Sequence, residues 1–291
     1  MELDKKKRKL IQFFAALLQN GNLAGFLTGK IYRGDGKLLC LPGLNCYSCP
    51  GAVGACPIGS LQFFFSSRPV GFPYYVLGCL LFFGVVFGRA VCGFLCPFGL
   101  IQELLYKLPV PKRHGKTLAA DQWGRKCKYF VLLVFVIALP LALSYTPAFC
   151  KWLCPVGSLE GAIALTVLNS GKLNFPKGIL YWWKLGLLVL VALASIWIFR
   201  PFCRYICPLG AIYGCANSIS IYRGAVERTN CIACGKCSAV CPMQVDPLKN
   251  LNSAECIRCG ACASACPGHA LHFDFQWPFP AETDRPSTNR S

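Results

Sequence analysis

The chain has 291 residues, 55% of them hydrophobic and only 14% charged, yet its net charge is +18. A mean hydropathy of +0.47 excludes an ordinary soluble domain, and against that apolar background the basic charge does not read as a nucleic-acid footprint. Apolar stretches joined by basic loops are what a multi-span inner-membrane protein shows.

Residues 1–9 are charged, and no small-residue cleavage site closes the segment that follows, so no signal peptide is expected. Residues 10–29 are long enough to span but carry Gln19, Asn20 and Asn22, which leaves an interfacial helix as the alternative. Residues 30–68 are a loop rich in Gly and Cys. Residues 73–91 read as a clear span, and residues 129–147 as a second with Pro140 as its expected kink. Residues 149–178 connect it to a third, residues 179–199; within the connection, Ser158 to Leu168 reads as a short helix. Trp182 and Trp183 sit as an interfacial aromatic belt would, and Lys184 is near enough to the end to reach the interface.

Charge sets the orientation. Segments 5–9 and 105–128 carry twelve Lys or Arg, including Lys107, Lys112, Arg113, Lys116, Arg125, Lys126 and Lys128. Loops 30–68 and 149–178 carry seven: Lys30, Arg33, Lys37, Arg68, Lys151, Lys172 and Lys177. The bias puts the first pair inside. Four spans then leave both termini in the cytoplasm.

An internal repeat runs through this region. CPIGSLQ at Cys56 matches CPVGSLE at Cys154, and RAVCGFLCPFG around Cys92 matches RPFCRYICPLG around Cys203. The halves, about 10–105 and 129–215, point the same way, so a pseudo-twofold axis along the membrane normal is expected. The residue before Pro is pushed out of the helical region, while Pro is favoured at the first helical position. Each Cys-Pro therefore marks a helix junction, where a positive helix end favours a thiolate and an anionic cluster. Cys92, Cys96, Cys203 and Cys207 would supply four thiolates on the inner side. On the outer side, Cys46, Cys49, Cys56, Cys150 and Cys154 supply enough for one cluster and one spare, with disulfides as the rival on an oxidising face. Cys40, Cys79, Cys127 and Cys215 read as small packing residues.

From Cys231 to Pro267 the chain reads CIACGKCSAVCP and then CIRCGACASACP. Each is C-x2-C-x2-C-x3-C-P, the run that binds a 4Fe–4S cluster, with the fourth Cys crossing to the other cluster. The expected sets are Cys231, Cys234, Cys237 and Cys266, and Cys256, Cys259, Cys262 and Cys241. Zinc knuckles use paired ligands across a longer gap and fit poorly.

The only histidines, His114, His269 and His272, lie outside the spans, which excludes a bis-His haem in the bilayer. Ionisable groups are nearly absent from the spans, so a proton path lacks support. Glu103 and Glu160, which follow CPxG motifs, are candidate quinone groups or ordinary residues near positive helix ends. No Walker loop or GxGxxG appears, so nucleotide oxidation is not expected of this chain.

Over roughly residues 73–270 the chain resembles the membrane-bound polyferredoxins of the NapH/NosR/CcoG type, which combine several spans, two CxxxCP motifs and a carboxy-terminal two-cluster ferredoxin. The resemblance implies electron transfer between the quinone pool or a cytoplasmic carrier and a partner outside, such as a flavoprotein or cytochrome. Cys92, Cys96, Cys203 and Cys207 match its CxxxCP motifs; the outer group stands outside the shared pattern. The expected fold is an α-helical polytopic membrane domain of about four spans, residues 1–222, with a small α+β ferredoxin at 223–275 and a flexible tail at 276–291. An electron-transfer subunit is expected ahead of an oxidoreductase that acts directly on a quinol or reduces a metal ion such as copper. Two 4Fe–4S clusters are expected in the ferredoxin, a third cluster at the CxxxCP pairs, and a further one near the outer face.

Overall fold

The computed structural model describes residues 5–67, 73–110, 119–143, 146–168 and 178–277. The tail from 278 onward lies outside the described residues, as do Arg68, Lys112, Arg113, His114, Lys116, Lys172 and Lys177.

The candidate span at 10–29 is two helices, α1 (Lys5–Gln19) and α2 (Leu23–Thr28). Asn and Gly at 20–22 favour local bonds over helix: Asn20 Nδ2 donates back to Ala16 O, and Asn22 Nδ2 reaches Pro50 O. On α1 the usual amphipathic order is inverted. Arg8, Gln12, Ala15 and Gln19, spaced as one helical stripe, are buried, while Leu10, Phe14 and Leu18 are 56%, 53% and 78% exposed.

The stretch 30–68, expected as a loop, ends in helix α3 (Pro57–Ser67), started by the Cys56–Pro57 junction. Helix α4 (Tyr74–Phe87) stops short of the expected 91, at Gly88 with φ +54. A side chain there would meet Asn217 Oδ1 at 2.7 Å, and Asn217 also takes the Arg89 N–H. The chain turns into α5 (Ala90–Phe94) and α6 (Pro97–Tyr106). Helix α7 (Ala119–Val131) runs on through a π-helical stretch (Leu132–Ala138) into α8 (Leu139–Ala142). Pro140 follows directly on this stretch, whose widened turn accommodates the missing N–H and the ring. Two further π turns, Phe149–Leu153 and Gly157–Ile163, lead into α9 (Ala164–Leu168). Then come α10 (Ile179–Trp197), α11 (Pro201–Tyr205) and α12 (Pro208–Ala216). Among the described residues only α10 is long and apolar enough to cross a membrane by itself.

The carboxy-terminal unit is closed by its first and last elements. Strand β1 (Tyr222–Val226) pairs antiparallel with β2 (Leu271–Phe275), in register Tyr222 to Phe275. Between them lie the short helices α13 (Lys236–Ala239), α14 (Pro247–Asn250) and α15 (Ala261–Ser264). Leu251, Leu271 and Phe273 form its core, together with Cys237 and Cys262.

One apolar core runs through the helical unit. Phe98 and Phe202, one from each half of the repeat, meet edge to face at 5.4 Å, with Cys56, Cys92, Cys96, Cys154 and Cys207 in the same cluster. Ions are buried beside it. Glu103 is held by Arg8 through both oxygens, at 3.0 and 2.7 Å, and by Arg200 at 2.7 Å. Removing one member of such a group leaves uncompensated charge, which costs about 3–5 kcal/mol. Glu103→Leu, which strands two guanidiniums, is expected to lower the thermal unfolding midpoint of the detergent-purified protein by several degrees; an unchanged midpoint would contradict this account.

Candidate iron–sulfur centres

In the carboxy-terminal unit Cys231, Cys234, Cys237 and Cys266 line one cavity, and Cys241, Cys256, Cys259 and Cys262 line a second. The fourth cysteine of each run thus faces the first three of the other. The two runs share their backbone design. Ala233 and Gly235 adopt φ +54 and +69; Arg258 and Gly260 adopt +52 and +75. Left-handed residues in such loops turn successive N–H groups inward, which makes an anion-binding nest. The crossing cysteines each accept a backbone N–H, Cys241 from Val245 and Cys266 from Ala270, both at 3.4 Å. Burial pushes the Cys256 thiol up to about 12 and also raises Cys241, so ligation there must displace protons. Among the described residues no three Cys, His, Asp or Glu side chains converge on a single ion position. A donor set of four thiols around each cavity fits a cube, whose irons each take one thiolate, better than a lone zinc.

The ferredoxin unit is bolted to the helical one. Arg258 donates to Asn217 O at 2.6 Å, Phe87 O at 3.1 Å and Tyr222 O. Asn217 Nδ2 donates to Ser253 O and Cys256 O. Glu255 sits between Arg89, at 2.7 Å, and Lys128. Burial opposes its charge, but the two cations outweigh burial and hold its carboxyl below the usual range. Ile257 O packs so near Gly93 that a Cβ there would come within 2.6 Å of it. Glycine between Cys92 and Cys96 therefore lets the second ferredoxin cavity abut the inner quartet.

All four inner cysteines are buried. Cys96 and Cys207 are extended residues, ψ 116 and 114, that cap α6 and α12, with Pro at the first helical position. Each Sγ accepts the N–H three residues on, from Gly99 and Gly210, at 3.4 Å. The two halves are crossed by arginines. Arg89 donates to Cys203 O at 3.0 Å, and Arg200 donates to Cys92 O at 2.5 Å. Gln102 completes the join, accepting from Phe202 N at 3.2 Å and donating to Cys203 Sγ at 3.2 Å.

The outer group divides. Cys46, Cys56, Cys150 and Cys154 are electrostatic neighbours of one another. Cys49 turns away and donates its thiol to Asn20 Oδ1 at 3.6 Å. Lys184 is half-buried and donates to Cys150 O at 3.1 Å, a carbonyl of the π turn Phe149–Leu153. Glu103 is saturated by arginines and has no oxygen left for a quinone, while Glu160 accepts the Cys46 N–H at 2.7 Å. The two cysteine groups, expected toward opposite faces, lie closer together than a full membrane thickness. Gly43 packs on Leu95 O and Pro97, either side of Cys96. Cys46 is three residues further on, so at most about 11 Å of chain joins the two sites, far less than the roughly 30 Å of a hydrocarbon core.

Three stretches, residues 72–116, 128–176 and 179–226, match the 4Fe-4S binding domain family, and residues 223–267 match the 4Fe-4S dicluster domain family. An uncharacterized protein of Methanocaldococcus jannaschii is 32% identical over 225 residues, 76% of this chain and 86% of that one. The methylamine utilization ferredoxin-type protein MauN of Paracoccus denitrificans is 28% identical over 234 residues, 78% of this chain and 71% of its own. Regulatory protein NosR of Pseudomonas aeruginosa is 31% identical over 169 residues, 55% of this chain but 21% of its own length. The chain belongs to the NosR-type polyferredoxins. This polyferredoxin is thus an iron–sulfur electron-transport protein by family. No solved structure matches it.

Sequence reading assigned no role to Arg89, Arg200, Gln62 or Gln102. The signal was present, since R-x2-C recurs at Arg89 and Arg200 and C-P-x-G-x2-Q recurs at Gln62 and Gln102. One expected outcome follows from Glu255. Its folded pKa is depressed, so its contribution to docking is complete above the ordinary carboxylate range and is lost as pH falls through the lowered value. Limited proteolysis should release the ferredoxin unit of Glu255→Gln more readily than that of the parent at pH 7, and the difference should shrink on acidification. Equal release at pH 7 would remove the ion pair from the docking account.

Proposed function

We propose that this chain is a multi-pass protein of the cytoplasmic membrane, with both termini and the ferredoxin unit in the cytoplasm. It relays electrons between a cytoplasmic or quinone-pool donor and a redox partner at the outer face. The observation that carries this reading is the row of cysteine sites. The cavity at Cys231 neighbours the cavity at Cys256; that one abuts Cys92, Cys96, Cys203 and Cys207; and a single short loop leads on to Cys46. When bound, iron–sulfur clusters supply one-electron uptake and release. The chain's own part is to keep the thiols in an unbroken series and to shield the inner ones from water. Cys234 and Ile232 are exposed at one end, where a cytoplasmic carrier can approach; Tyr47 and Ser48 are exposed at the other, where an outer partner can.

Membrane placement is supported by the inverted surface. Arg8, Gln12, Gln62, Gln102 and Ser195 are buried, whereas Leu81, Phe82, Leu133 and Leu190 are exposed on α4, α10 and the helix through α7. In water this arrangement would waste the hydrophobic effect; in lipid it places apolar side chains where they belong. Helix α4 alone is about 21 Å long at 1.5 Å per residue, so crossing there needs α5 and α6 to continue the path. Engagement of both Glu103 oxygens by Arg8 and Arg200 disfavours direct chemistry on a quinol at that residue.

The test uses sealed vesicles with the ferredoxin face outward, a low-potential dye outside and ferricyanide trapped inside. Dye oxidation should be coupled to reduction inside and should be lost in Cys96→Ala. Equal rates with and without the protein would reject the relay. Cysteine variants should also sort into the two ferredoxin sets: Cys231→Ala and Cys266→Ala should lose one EPR signal, Cys241→Ala and Cys256→Ala the other. Loss of the same signal from Cys231→Ala and Cys241→Ala would reject the crossed assignment.

A further inference from the structure

The helical unit contains its joining device twice. Six residues after each Cys-Pro cysteine lies a side chain that holds the opposite half. Gln102, after Cys96, takes Phe202 N and gives to Cys203 Sγ. Gln62, after Cys56, takes Phe149 N at 3.0 Å and gives to Cys150 Sγ at 3.5 Å. Glu160, after Cys154, takes Cys46 N at 2.7 Å. Tyr213, after Cys207, gives its hydroxyl proton to Pro42 O at 3.1 Å. At the outer group the device is therefore reciprocal: the first half grips Cys150 and the second half grips Cys46.

This reciprocity picks out the ligands. The matching position four residues before Cys56 is Ala52, so the first half lacks a CxxxCP pair there. Cys46 fills the role instead. A Cβ built on Gly161 would lie 3.4 Å from its Sγ, and one on Gly157 3.9 Å. Gly59 makes the corresponding approach to Cys150 Sγ, at 4.0 Å. Lys184 supplies a cation on Cys150 O, as the arginines do at the inner quartet. Every thiol in the set is buried or half-buried, and none is paired in a disulfide.

We propose that Cys46, Cys56, Cys150 and Cys154 form a second four-thiolate iron–sulfur site in the helical unit, built by the same clamp as the inner quartet, with Cys49 outside the ligand set. The assignment rests on the electron-relay reading and adds a site that its inner quartet does not require. Gln62 is a positioning residue whose amide N–H also bonds a ligand sulfur, an interaction that tunes cluster potential.

The experiment uses full-chain protein purified anaerobically in detergent, with iron and acid-labile sulfide counted and EPR recorded during redox titration. Cys154→Ala and Cys46→Ala should each lose about four irons and one EPR signal, the content of one cube, and Cys49→Ala should lose none. Cys96→Ala should lose a different signal. Gln62→Leu should keep its iron but lower the midpoint of the signal missing in Cys154→Ala, leaving the other signals unmoved. An equal loss in Cys49→Ala overturns the ligand set. Full iron in Cys154→Ala, alongside loss in Cys96→Ala, overturns the outer site while the relay stands. Parent protein with iron for the ferredoxin cubes alone overturns both. If Cys154→Ala is misfolded, the Gln62→Leu midpoint decides, and an unmoved midpoint counts against the site.

Discussion

Two buried guanidiniums, Arg89 and Arg200, tie the molecule together. Each leaves its own half of the repeat and donates to the carbonyl of the first CxxxCP cysteine in the other half. A guanidinium in an apolar core requires a carboxylate, because its desolvation costs several kcal/mol. Glu103 answers Arg200 and thereby recruits Arg8 on α1. Glu255 answers Arg89 and thereby brings the ferredoxin unit against the helices. Helix pairing, the amino-terminal helix and domain docking are thus three results of one requirement. Their cost is offset because every charge is paired and hydrogen-bonded in low dielectric, where such bonds are strong.

The ferredoxin was legible almost residue by residue. Its ligands come from contiguous runs, so spacing alone fixes which thiols can share a cavity. The Cys-Pro junctions were legible for the same reason, since Pro restricts its neighbour whatever the tertiary context. The span at 73–91 was read too long because Gly88 is apolar by composition, whereas its positive φ is set by Asn217, far away in sequence. The partner of Lys184 was not legible, because the carbonyl it finds belongs to a π turn that no local pattern announces. Counting spans set the two cysteine groups a full membrane apart, and span counting cannot see a loop that folds back onto Leu95 and Pro97.

The glycine of each CPxG motif has one purpose in each setting. At Gly99 a side chain would press on the Arg200 guanidinium at 2.8 Å, and at Gly210 on the Arg89 guanidinium at 3.3 Å. Small size there admits the group that crosses from the other half. The motif is therefore a contact rule as much as a turn rule, with Cys for the ligand, Pro for the helix start and Gly for the visitor.

The split of the inner quartet between halves bears on how the protein is made. Cys92 and Cys96 leave the ribosome more than a hundred residues before Cys203 and Cys207. No complete four-thiol set exists in this region until the second half has been synthesised and has closed on the first. Each ferredoxin set, by contrast, is drawn from the single stretch Cys231–Cys266 and can be complete soon after that stretch has emerged. A cluster bound at the buried site would have to enter as the halves close, since afterwards the thiols are covered by helices on one side and by the docked ferredoxin on the other. Maturation factors acting after docking would find the distal ferredoxin cavity open and the inner quartet sealed.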